Sequence, residues 1–573
     1  MENPVSGPLA PSVDRRHELG LRVLFAFALL LLVVEPWRVP LFEPDEGRYS
    51  EIPREMLATG DWVVPRLNGA LYFEKPPLHY WAVALSFKLL GTTEVAARLP
   101  VKVASVGMAV LALLFARRRW GPRVGYLAGL ITASSVLVVA LARITIIDPL
   151  LSLALTGAVF SFVSFFEAAQ KRDDRGARRA LFLLHLSAAA AVMLKGLIGL
   201  VLPGGAIVLW IALSGRWRLL PRLFSPWPLL LFLALTVPWH VLVARREPSF
   251  LHFYFVHEHL ERFLKSEHRR GGSPLYFVGV LLGGFLPWTA FLGRLRETWP
   301  GIRLAAWRDR PVEAFLWLWS ILVFVFFSLS QSKLITYVEP IWPAMAVLLA
   351  LGIERAREKG AGFRGNRWVS GVLLALLAGA ALVYGFGAGY GARFGVSGPA
   401  VVAASVLAAG ALWQIALAEG LAGGTRRWRR EPAVPLAATW LLFVAALVVA
   451  LPGVARHVTP WPLVEAVLRE KGPGDLLVQR GHYLQAVPFY ARTLTPVAHL
   501  GWHELNFGQS QAPGSPLFPS DEEFAALWNG PGRVLAVVHR DLLKDFGEPP
   551  LSARKAVILA VAPNGKHALL ANR

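Results

Sequence analysis

The sequence predicts an α-helical polytopic membrane protein of about 13 transmembrane helices, followed by a small C-terminal extracytoplasmic α/β domain. The 573-residue chain is 55% hydrophobic and yet carries a formal net charge of +21, a combination that would hardly keep a soluble protein of this size in solution. Apolar stretches long enough to cross roughly 30 Å of hydrocarbon recur up to about residue 450. Buried core helices rarely run that long without a charge, so the composition favours a membrane protein over a large soluble core.

The transmembrane helices follow from these apolar stretches and from the breaks between them. The first stretch follows Arg15, Arg16 and Arg22 and is similar to a signal peptide. No small-residue cleavage site follows it, so we interpret it as an anchored first span. The predicted spans are 21–40, 96–116, 123–142, 149–168, 180–195, 198–214, 226–244, 274–293, 312–330, 338–354, 368–388, 398–418 and 435–453.

Strongly basic loops separate alternate spans and predict the orientation. They lie at 116–123, 171–179, 214–222, 294–310, 354–367 and 425–430. Short Lys/Arg-rich loops stay in the cytoplasm, which also places the N-terminus there. A basic chain could instead bind nucleic acid, but these charges are scattered over short loops with no aromatic-interleaved domain to carry that function.

The opposite loops are then extracytoplasmic, and two of them are long: the first loop, residues 41–95, and the second loop, residues 245–273. Loops of that length usually carry function, because short turns suffice to connect antiparallel helices. In the first loop, Ser50 as a cap and Gly60 as a stop predict a short helix along the membrane surface, and 76–91 predicts a second. The chain has no cysteine, which excludes disulfides, thiol nucleophiles and Cys-ligated metals.

The composition becomes soluble beyond residue 453, which divides the chain into a membrane domain, 1–453, and an extracytoplasmic domain, 454–573. In the second domain "GDLLVQR" and "RVLAVVHR" predict strands, and "HYLQAVPFYAR" and "PSDEEFAALWNG" predict helices. The end of the chain predicts a hairpin that turns at Asn564 and Gly565. We find no phosphate-binding glycine loop here, and the sequence assigns this domain no role.

Charged residues collect at the predicted extracytoplasmic mouths of the helices. The carboxylates are Asp45, Glu46 and Glu74; the cations are Lys75, Lys195, Arg262, Arg269, Arg270 and Lys333. Taken singly, each has an ordinary explanation in a solvated loop, a snorkelling lysine or a structural ion pair. Together they favour a site, because cations where a membrane meets water form a seat for a phosphate on a lipid tail. Carboxylates beside it could orient an acceptor, take its proton or stabilise positive charge on a sugar.

At this point the chain resembles a known family. "DEGRYSEIPREMLATGDWVVPRLNGALYFEKPPLHYW" resembles the first extracytoplasmic loop of the bacterial lipid A aminoarabinose (4-amino-4-deoxy-L-arabinose) transferases of the GT-C superfamily, to which protein O-mannosyltransferases are related more distantly. The resemblance continues through "RITIIDP", "LKGLIGLVLPG", "HEHLERF" and "QSKLITYVEP", covers roughly residues 20 to 350, and weakens over the last third. It implies a GT-C type fold and an inverting glycosyltransferase that takes its sugar from undecaprenyl phosphate.

The resemblance also implies roles for individual residues. Asp45 matches the acidic residue beside the reacting sugar, and we predict that it is catalytic together with its neighbour Glu46. The predicted carrier-phosphate site comprises Lys75, Lys195, Arg262, Tyr337, Arg48 and Lys333, the last from its charge and position. Glu74 and His257 match a pair that can hold a divalent metal ion, to which we assign no catalytic role. A lipid monophosphate donor has no pyrophosphate for a metal to neutralise, so no cofactor is expected to be required.

The same observations leave several functions to compare. The leading one is transfer of 4-amino-4-deoxy-L-arabinose to lipid A phosphate in the bacterial inner membrane, with the C-terminus periplasmic. The alternative is a polyprenyl-phosphate-dependent mannosyl- or other glycosyltransferase acting on protein or another glycolipid. A flippase is less favoured because transporters place their charges near the midplane. A non-enzymatic scaffold gives no reason for carboxylates and cations to converge.

Overall fold

The computed structural model describes residues 15–35, 39–255, 272–386, 397–421, 431, 433–501 and 503–572. The described chain is mostly helical, with one small sheet near its end. Its α-helices are Arg15–Val33, Asp45–Thr59, Leu78–Leu90, Glu94–Trp120, Pro122–Ser134, Val136–Leu141, Asp148–Gln170, Asp174–Lys195, Ile198–Ser214, Leu220–Leu223, Pro226–Arg246, Tyr276–Gly284, Leu304–Asp309, Pro311–Leu329, Trp342–Glu358, Arg364–Phe386, Ser397–Glu419, Ala433–Val458, Trp461–Glu470, Ala486–Ala491, Asn506–Ser510 and Asp521–Asn529. Trp217–Leu219, Trp288–Glu297, Ile335–Ile341, Arg540–Gly547 and Leu551–Ala553 form 3₁₀ helices.

The helices confirm a multi-pass membrane fold, but fewer of them pass as simple spans than predicted. Among the described residues nine are long and apolar enough to cross a membrane, or ten if one bent pair counts as a single span. That pair, Tyr276–Gly284 with Trp288–Glu297, bends by 105° at the predicted span 274–293. The predicted span 123–142 is broken at Ser135, whose backbone is extended.

Two other predicted spans are helical but are not both long and apolar enough to count as membrane-crossing helices. Helix Ile198–Ser214 has 17 residues, slightly short for a full crossing. Helix Arg15–Val33 carries Glu18 and Arg22 in its first half, so its apolar part is shorter than the predicted span 21–40.

A buried ion network fixes the end of the first helix against the start of the first loop. Arg98 and Glu46 are both fully buried, and Arg98 also pairs with Glu35. Lys102 lies 3.0 Å from the other oxygen of Glu35. A buried charge is tolerated only when it is paired and hydrogen-bonded, and these four residues meet that condition for one another.

The first loop contains both predicted surface helices, with one boundary different. Helix Asp45–Thr59 starts five residues before Ser50, so Pro53 lies inside it. It ends at Gly60, as predicted, in the left-handed conformation that glycine adopts without strain. Helix Leu78–Leu90 matches the second prediction. A short antiparallel hairpin between them, β1 (Arg66–Leu67) and β2 (Ala70–Leu71), was not predicted.

The C-terminal domain is built on a five-stranded sheet in the order β4-β3-β5-β7-β6. Its strands are β3 (Leu476–Arg480), β4 (Val497–Ala498), β5 (Val534–His539), β6 (Val557–Val561) and β7 (His567–Ala571). β4, β3 and β5 run parallel, whereas β7 is antiparallel to β5 and β6. The two strands, two helices and terminal hairpin expected from the sequence are all present. The sequence analysis missed the two-residue β4, helices Trp461–Glu470 and Asn506–Ser510, and the two 3₁₀ helices of this domain.

The sheet domain packs directly on the first loop. The Asn68 side chain donates to the carbonyl of Thr495 at 2.7 Å and accepts from its N–H at 3.0 Å. The Glu43 carboxylate accepts the backbone N–H groups of Gln485 and Ala486. A side chain at Gly47 would come within 2.8 Å of the Gln485 Cβ, so the helix and the domain touch with no space between them. These contacts place the C-terminal domain over the mouths of the helices.

Candidate active site

A cavity of about 1060 Å³ lies between the first loop, the helix mouths and the C-terminal domain. Its helical wall is partly apolar, with Ile144, Ile146 and Ile147 from the turn before helix Asp148–Gln170. The C-terminal domain contributes a second side of the cavity, the domain wall, which consists of His482, Leu484, Gln485, His503, Glu504, Asn506, Phe507, His539, Asn564, Lys566 and His567. Six of the predicted site residues line this one cavity: Asp45, Arg48, Glu74, Lys75, Lys195 and Tyr337.

Asp45 presents a carboxylate to the cavity from the first turn of its helix. Its side chain is 54% exposed, whereas Glu504, the other carboxylate that pairs with Arg48, is largely buried. Arg48, one turn later, pairs with Asp45 and also with Glu504 of the C-terminal domain. The same guanidinium lies 5.1 Å from the centre of the Tyr49 ring. Arg48 therefore links the helix to the domain wall and fixes the direction of Asp45.

Two lysines supply positive charge from the helical side. Lys195, at the end of its helix, pairs with Asp148 and lies 5.0 Å from the centre of the Tyr337 ring. Lys75 Nζ donates to the Glu74 carbonyl at 2.7 Å and lies 3.9 Å from the Glu74 carboxylate. Each of the two ammonium groups thus lies beside a carboxylate and lines the cavity.

Two predicted site residues do not reach the cavity. Glu46 is fully buried and gives both oxygens to Arg98, at 2.8 and 2.6 Å, which corrects the expectation that it faces the reacting groups. Successive helix residues point about 100° apart, so Asp45 and Glu46 cannot both face the same cavity. Lys333 is also buried and donates to the carbonyls of Ser328 and Ser330, both at 2.8 Å. It closes the end of helix Pro311–Leu329 instead of lining the site.

The predicted metal pair is only half described. His257 and Arg262 lie outside the described residues. Within the part of the chain that the structure describes, no three His, Asp or Glu side chains are placed to share a metal ion. Glu74 lines the cavity beside the Lys75 ammonium, which competes with a cation for its oxygens.

The structure adds site residues that the sequence did not identify, most of them on the domain wall. Glu504 is held by Arg48 and by the Gln485 amide, and its burial raises the pKa of its carboxyl. Burial also lowers the pKa of His503 to about 4. Asp148 joins them from the block "RITIIDP", whose place at a helix mouth was visible in the sequence. Nothing local marks Glu504, since it follows no strand pattern and lies far along the chain from its partner Arg48.

The cavity combines three chemical features. Its apolar helical wall suits a hydrocarbon chain, Lys75, Lys195 and Arg48 suit a phosphate, and the exposed Asp45 carboxylate suits a polar reactant between them. Together they fit a lipid-linked phosphate whose reacting end projects beyond the membrane.

Comparison with known families gives two matching models. Residues 22–254 match the model described as dolichyl-phosphate-mannose-protein mannosyltransferase. Residues 463–559 match the model described as aminoarabinose transferase C-terminal domain. The first match covers the first loop and the helices around it, and the second covers most of the sheet domain.

Relatives and solved structures agree with these models. The chain is 34% identical over 451 residues to the undecaprenyl phosphate-alpha-4-amino-4-deoxy-L-arabinose arabinosyl transferase of Edwardsiella ictaluri, covering 77% of this chain and 78% of that protein. The same-named Enterobacter protein is 31% identical, over 63% of this chain and a little under two thirds, 64%, of its own length. The crystal structure of ArnT from Cupriavidus metallidurans bound to undecaprenyl phosphate is 26% identical and superimposes with a TM-score of 0.81 over 98% of this chain and 99% of that one. Its apo state gives a TM-score of 0.78.

Proposed function

Because this chain belongs to the undecaprenyl phosphate-α-4-amino-4-deoxy-L-arabinose arabinosyl transferases, we propose that it moves 4-amino-4-deoxy-L-arabinose from undecaprenyl phosphate to a phosphate of lipid A. The observation that carries this proposal is the single cavity in which Asp45, Arg48, Lys75 and Lys195 meet beside an apolar wall. The carrier's hydrocarbon chain would lie along that wall, and its phosphate would lie against the two lysines.

The reaction is a single displacement at the anomeric carbon. The bond from that carbon to the carrier phosphate breaks, and a bond to an acceptor oxygen forms on the opposite face, which inverts the centre. Undecaprenyl phosphate leaves with both electrons of the broken bond. Lys75, Lys195 and Arg48 stabilise the charge that grows on it, and this stabilisation accelerates the reaction because it is greater in the transition state than in the bound donor.

Asp45 acts at the sugar and its acceptor. A lipid A phosphate is already ionised near neutral pH and needs no base, so the Asp45 carboxylate orients the sugar and stabilises positive charge at its anomeric carbon. A hydroxyl acceptor would instead lose its proton to Asp45. The mannosyltransferase-like match of residues 22–254 favours this second reaction, transfer to a hydroxyl of protein or another glycolipid, as the alternative.

A transfer assay separates the two acceptors. Purified protein would receive a radiolabelled aminoarabinose donor on a polyprenyl phosphate, with either lipid A or enzymatically dephosphorylated lipid A. We expect label on lipid A alone. Equal labelling of both acceptors would favour the hydroxyl reaction, and label on neither, with a donor that a known transferase of the family accepts, would contradict the proposal.

We propose that no metal ion is required, since the cationic side chains serve the leaving phosphate. Transfer at an unchanged rate after dialysis against EDTA is the expected result. A loss of transfer that added divalent cation restores would contradict it.

The proposed location is the bacterial inner membrane, with the N-terminus cytoplasmic and the C-terminus periplasmic. The positive-inside distribution of the basic loops supports this orientation. Since the chain has no cysteine, single cysteines at Arg172 and Lys555 can report it. A membrane-impermeant maleimide applied to intact spheroplasts should label only the second, and labelling of the first alone would reverse the orientation.

A further inference from the structure

Four histidines meet where the domain wall faces the cavity. His482 follows β3, His539 ends β5, and His567 begins β7, where it is the cross-strand partner of His539. The His482 ring centre lies 5.2 Å from that of His567 and 6.3 Å from that of His539. The ring centre of His503, from the chain after β4, lies 5.8 Å from that of His482. We call these four residues the histidine edge.

The topology of the sheet places this edge where ligands bind in other open sheets. In the order β4-β3-β5 all three strands are parallel, and the chain passes from β3 to β4 on one side and then to β5 on the other. This makes the carboxyl ends of β3 and β5 a topological switch point, outside which open α/β sheets form a crevice for ligands. His482 and His539 stand at those two carboxyl ends.

One ring nitrogen of His567 is buried without a hydrogen-bond partner among the described residues. The residue is 7% exposed, and this nitrogen is Nε2. Buried polar atoms in native proteins are almost always paired, so an orphan that lines a cavity indicates a ligand.

The charge at the edge favours an anion. Burial, and after it repulsion from His482, His539 and Lys566, lowers the pKa of His567 to about 4. The neutral imidazole still donates one N–H, and Lys566, which lines the same cavity, supplies the positive charge that attracts an anion. The edge does not suit a metal ion, because no three of the described His, Asp and Glu side chains are placed to share one.

We propose that the histidine edge, with Lys566, holds the phosphate monoester of the acceptor. This rests on the proposed function, in which the carrier phosphate occupies the lysines of the helical wall. An inverting displacement needs the acceptor oxygen on the face of the sugar opposite the leaving phosphate. The histidine edge and the two lysines line the same cavity from different parts of the chain, so the acceptor phosphate and the carrier phosphate can be held there at the same time.

The test uses the full chain and the double variant H482A/K566A, because both side chains are exposed and their loss should not disturb the sheet. Initial rates of sugar transfer would be measured against lipid A concentration and, separately, against donor concentration. We expect the KM for lipid A to rise by about tenfold or more, because the acceptor phosphate loses charge-assisted hydrogen bonds. The KM for the donor should not change. H567Q should act in the same direction, with thermal unfolding measured beside it because His567 is buried.

H499Q is the matched control. His499 belongs to the same domain but pairs with Asp521 on the surface, outside the cavity, so its variant should keep both KM values. If the wild-type protein transfers no sugar, the proposed function fails. If the wild type is active and H482A/K566A shows an unchanged KM for lipid A, or a raised KM for the donor alone, the acceptor site is refuted. Zinc retained by the purified wild type and lost from the double variant would also refute it, in favour of a metal site.

Discussion

Asp45 and Glu46 are sequence neighbours, but we expect Asp45 to act in the reaction and Glu46 to stabilise the fold. Replacing each carboxylate by its amide tests this difference. The two oxygens of Glu46 accept four hydrogen bonds, two from Arg98 and one each from the N–H groups of Phe42 and Thr145. A glutamine oxygen can accept the bonds on one side only, so its NH₂ group would face two donors on the other side.

The cost of Glu46→Gln follows from the burial of both partners. Removing one member of a fully buried ion pair destabilises a protein by about 3–5 kcal/mol. Glu35 also pairs with Arg98 and would remain, so we expect the lower end, about 3 kcal/mol. The variant should unfold at a lower temperature in detergent and yield less folded protein. The kcat per folded molecule should stay within a few-fold of the wild type, because Glu46 does not line the cavity.

Asp45→Asn should show the reverse. The Asp45 side chain is 54% exposed and its pair with Arg48 is screened by water, so its loss costs about 0–1 kcal/mol. Transfer should fall by about 100- to 10,000-fold, the range for a positioned carboxylate that acts in the reaction. The assays are thermal unfolding and single-turnover sugar transfer on the same preparations. An E46Q protein that is as stable as the wild type but transfers no sugar would refute this division of roles, as would a D45N protein with near-normal turnover.

Three further predictions concern the carrier site and the contact between the domains. Lys75→Ala should raise the KM for the carrier-linked donor by about tenfold or more, because Lys75 is one of three cations for the donor phosphate. Lys88 is exposed and lies away from the cavity, so Lys88→Ala should leave this KM unchanged. Equal donor kinetics in both variants would exclude Lys75 from the phosphate site. Asn68→Ala leaves the buried N–H and carbonyl of Thr495 unpaired, and each unpaired group costs about 1–3 kcal/mol of stability. The chain between the two domains should then be cut by protease at temperatures where the wild type resists, and identical digestion patterns would contradict this. Burial raises the pKa of Glu43 from 4.5 to about 8, so the folded protein keeps a proton that the unfolded chain loses. The free energy of unfolding should therefore fall as the pH rises from about 4.5 to about 8. Thermal unfolding across this range should show this loss in the wild type and a smaller one in E43Q, and equal slopes would refute the assignment.

The membrane fold could be predicted because hydrophobic length is a local property of the chain. Two of the exceptions, the break at Ser135 and the bent pair Tyr276–Gly284 with Trp288–Glu297, are places where the backbone departs from a straight helix. Ser135 interrupts one predicted span, and its neighbour Ser134 accepts from the indole N–H groups of Trp288 and Trp440, through its hydroxyl and its carbonyl. Tertiary partners of this kind let a break persist in the membrane, and a hydropathy pattern does not reveal them.

The site was only partly predictable for a related reason. Asp45 and Lys75 lie in a distinctive polar loop, and the structure brings them to one cavity. The choice between Asp45 and Glu46 depends on where helix Asp45–Thr59 begins and on the distant Arg98, and no local sequence pattern reveals either of these. His539 and His567 come from strand ends that meet only once the sheet has formed, and Glu504 and His503 come from the loop after β4.

The pairing of Arg48 with Glu504, 456 positions later, bears on how the protein matures. Ribosomes deliver the first loop long before the sheet domain, and segments that emerge early generally begin to fold early. The cavity therefore lacks the residues of the domain wall throughout most of translation and is complete only after the late domain has docked.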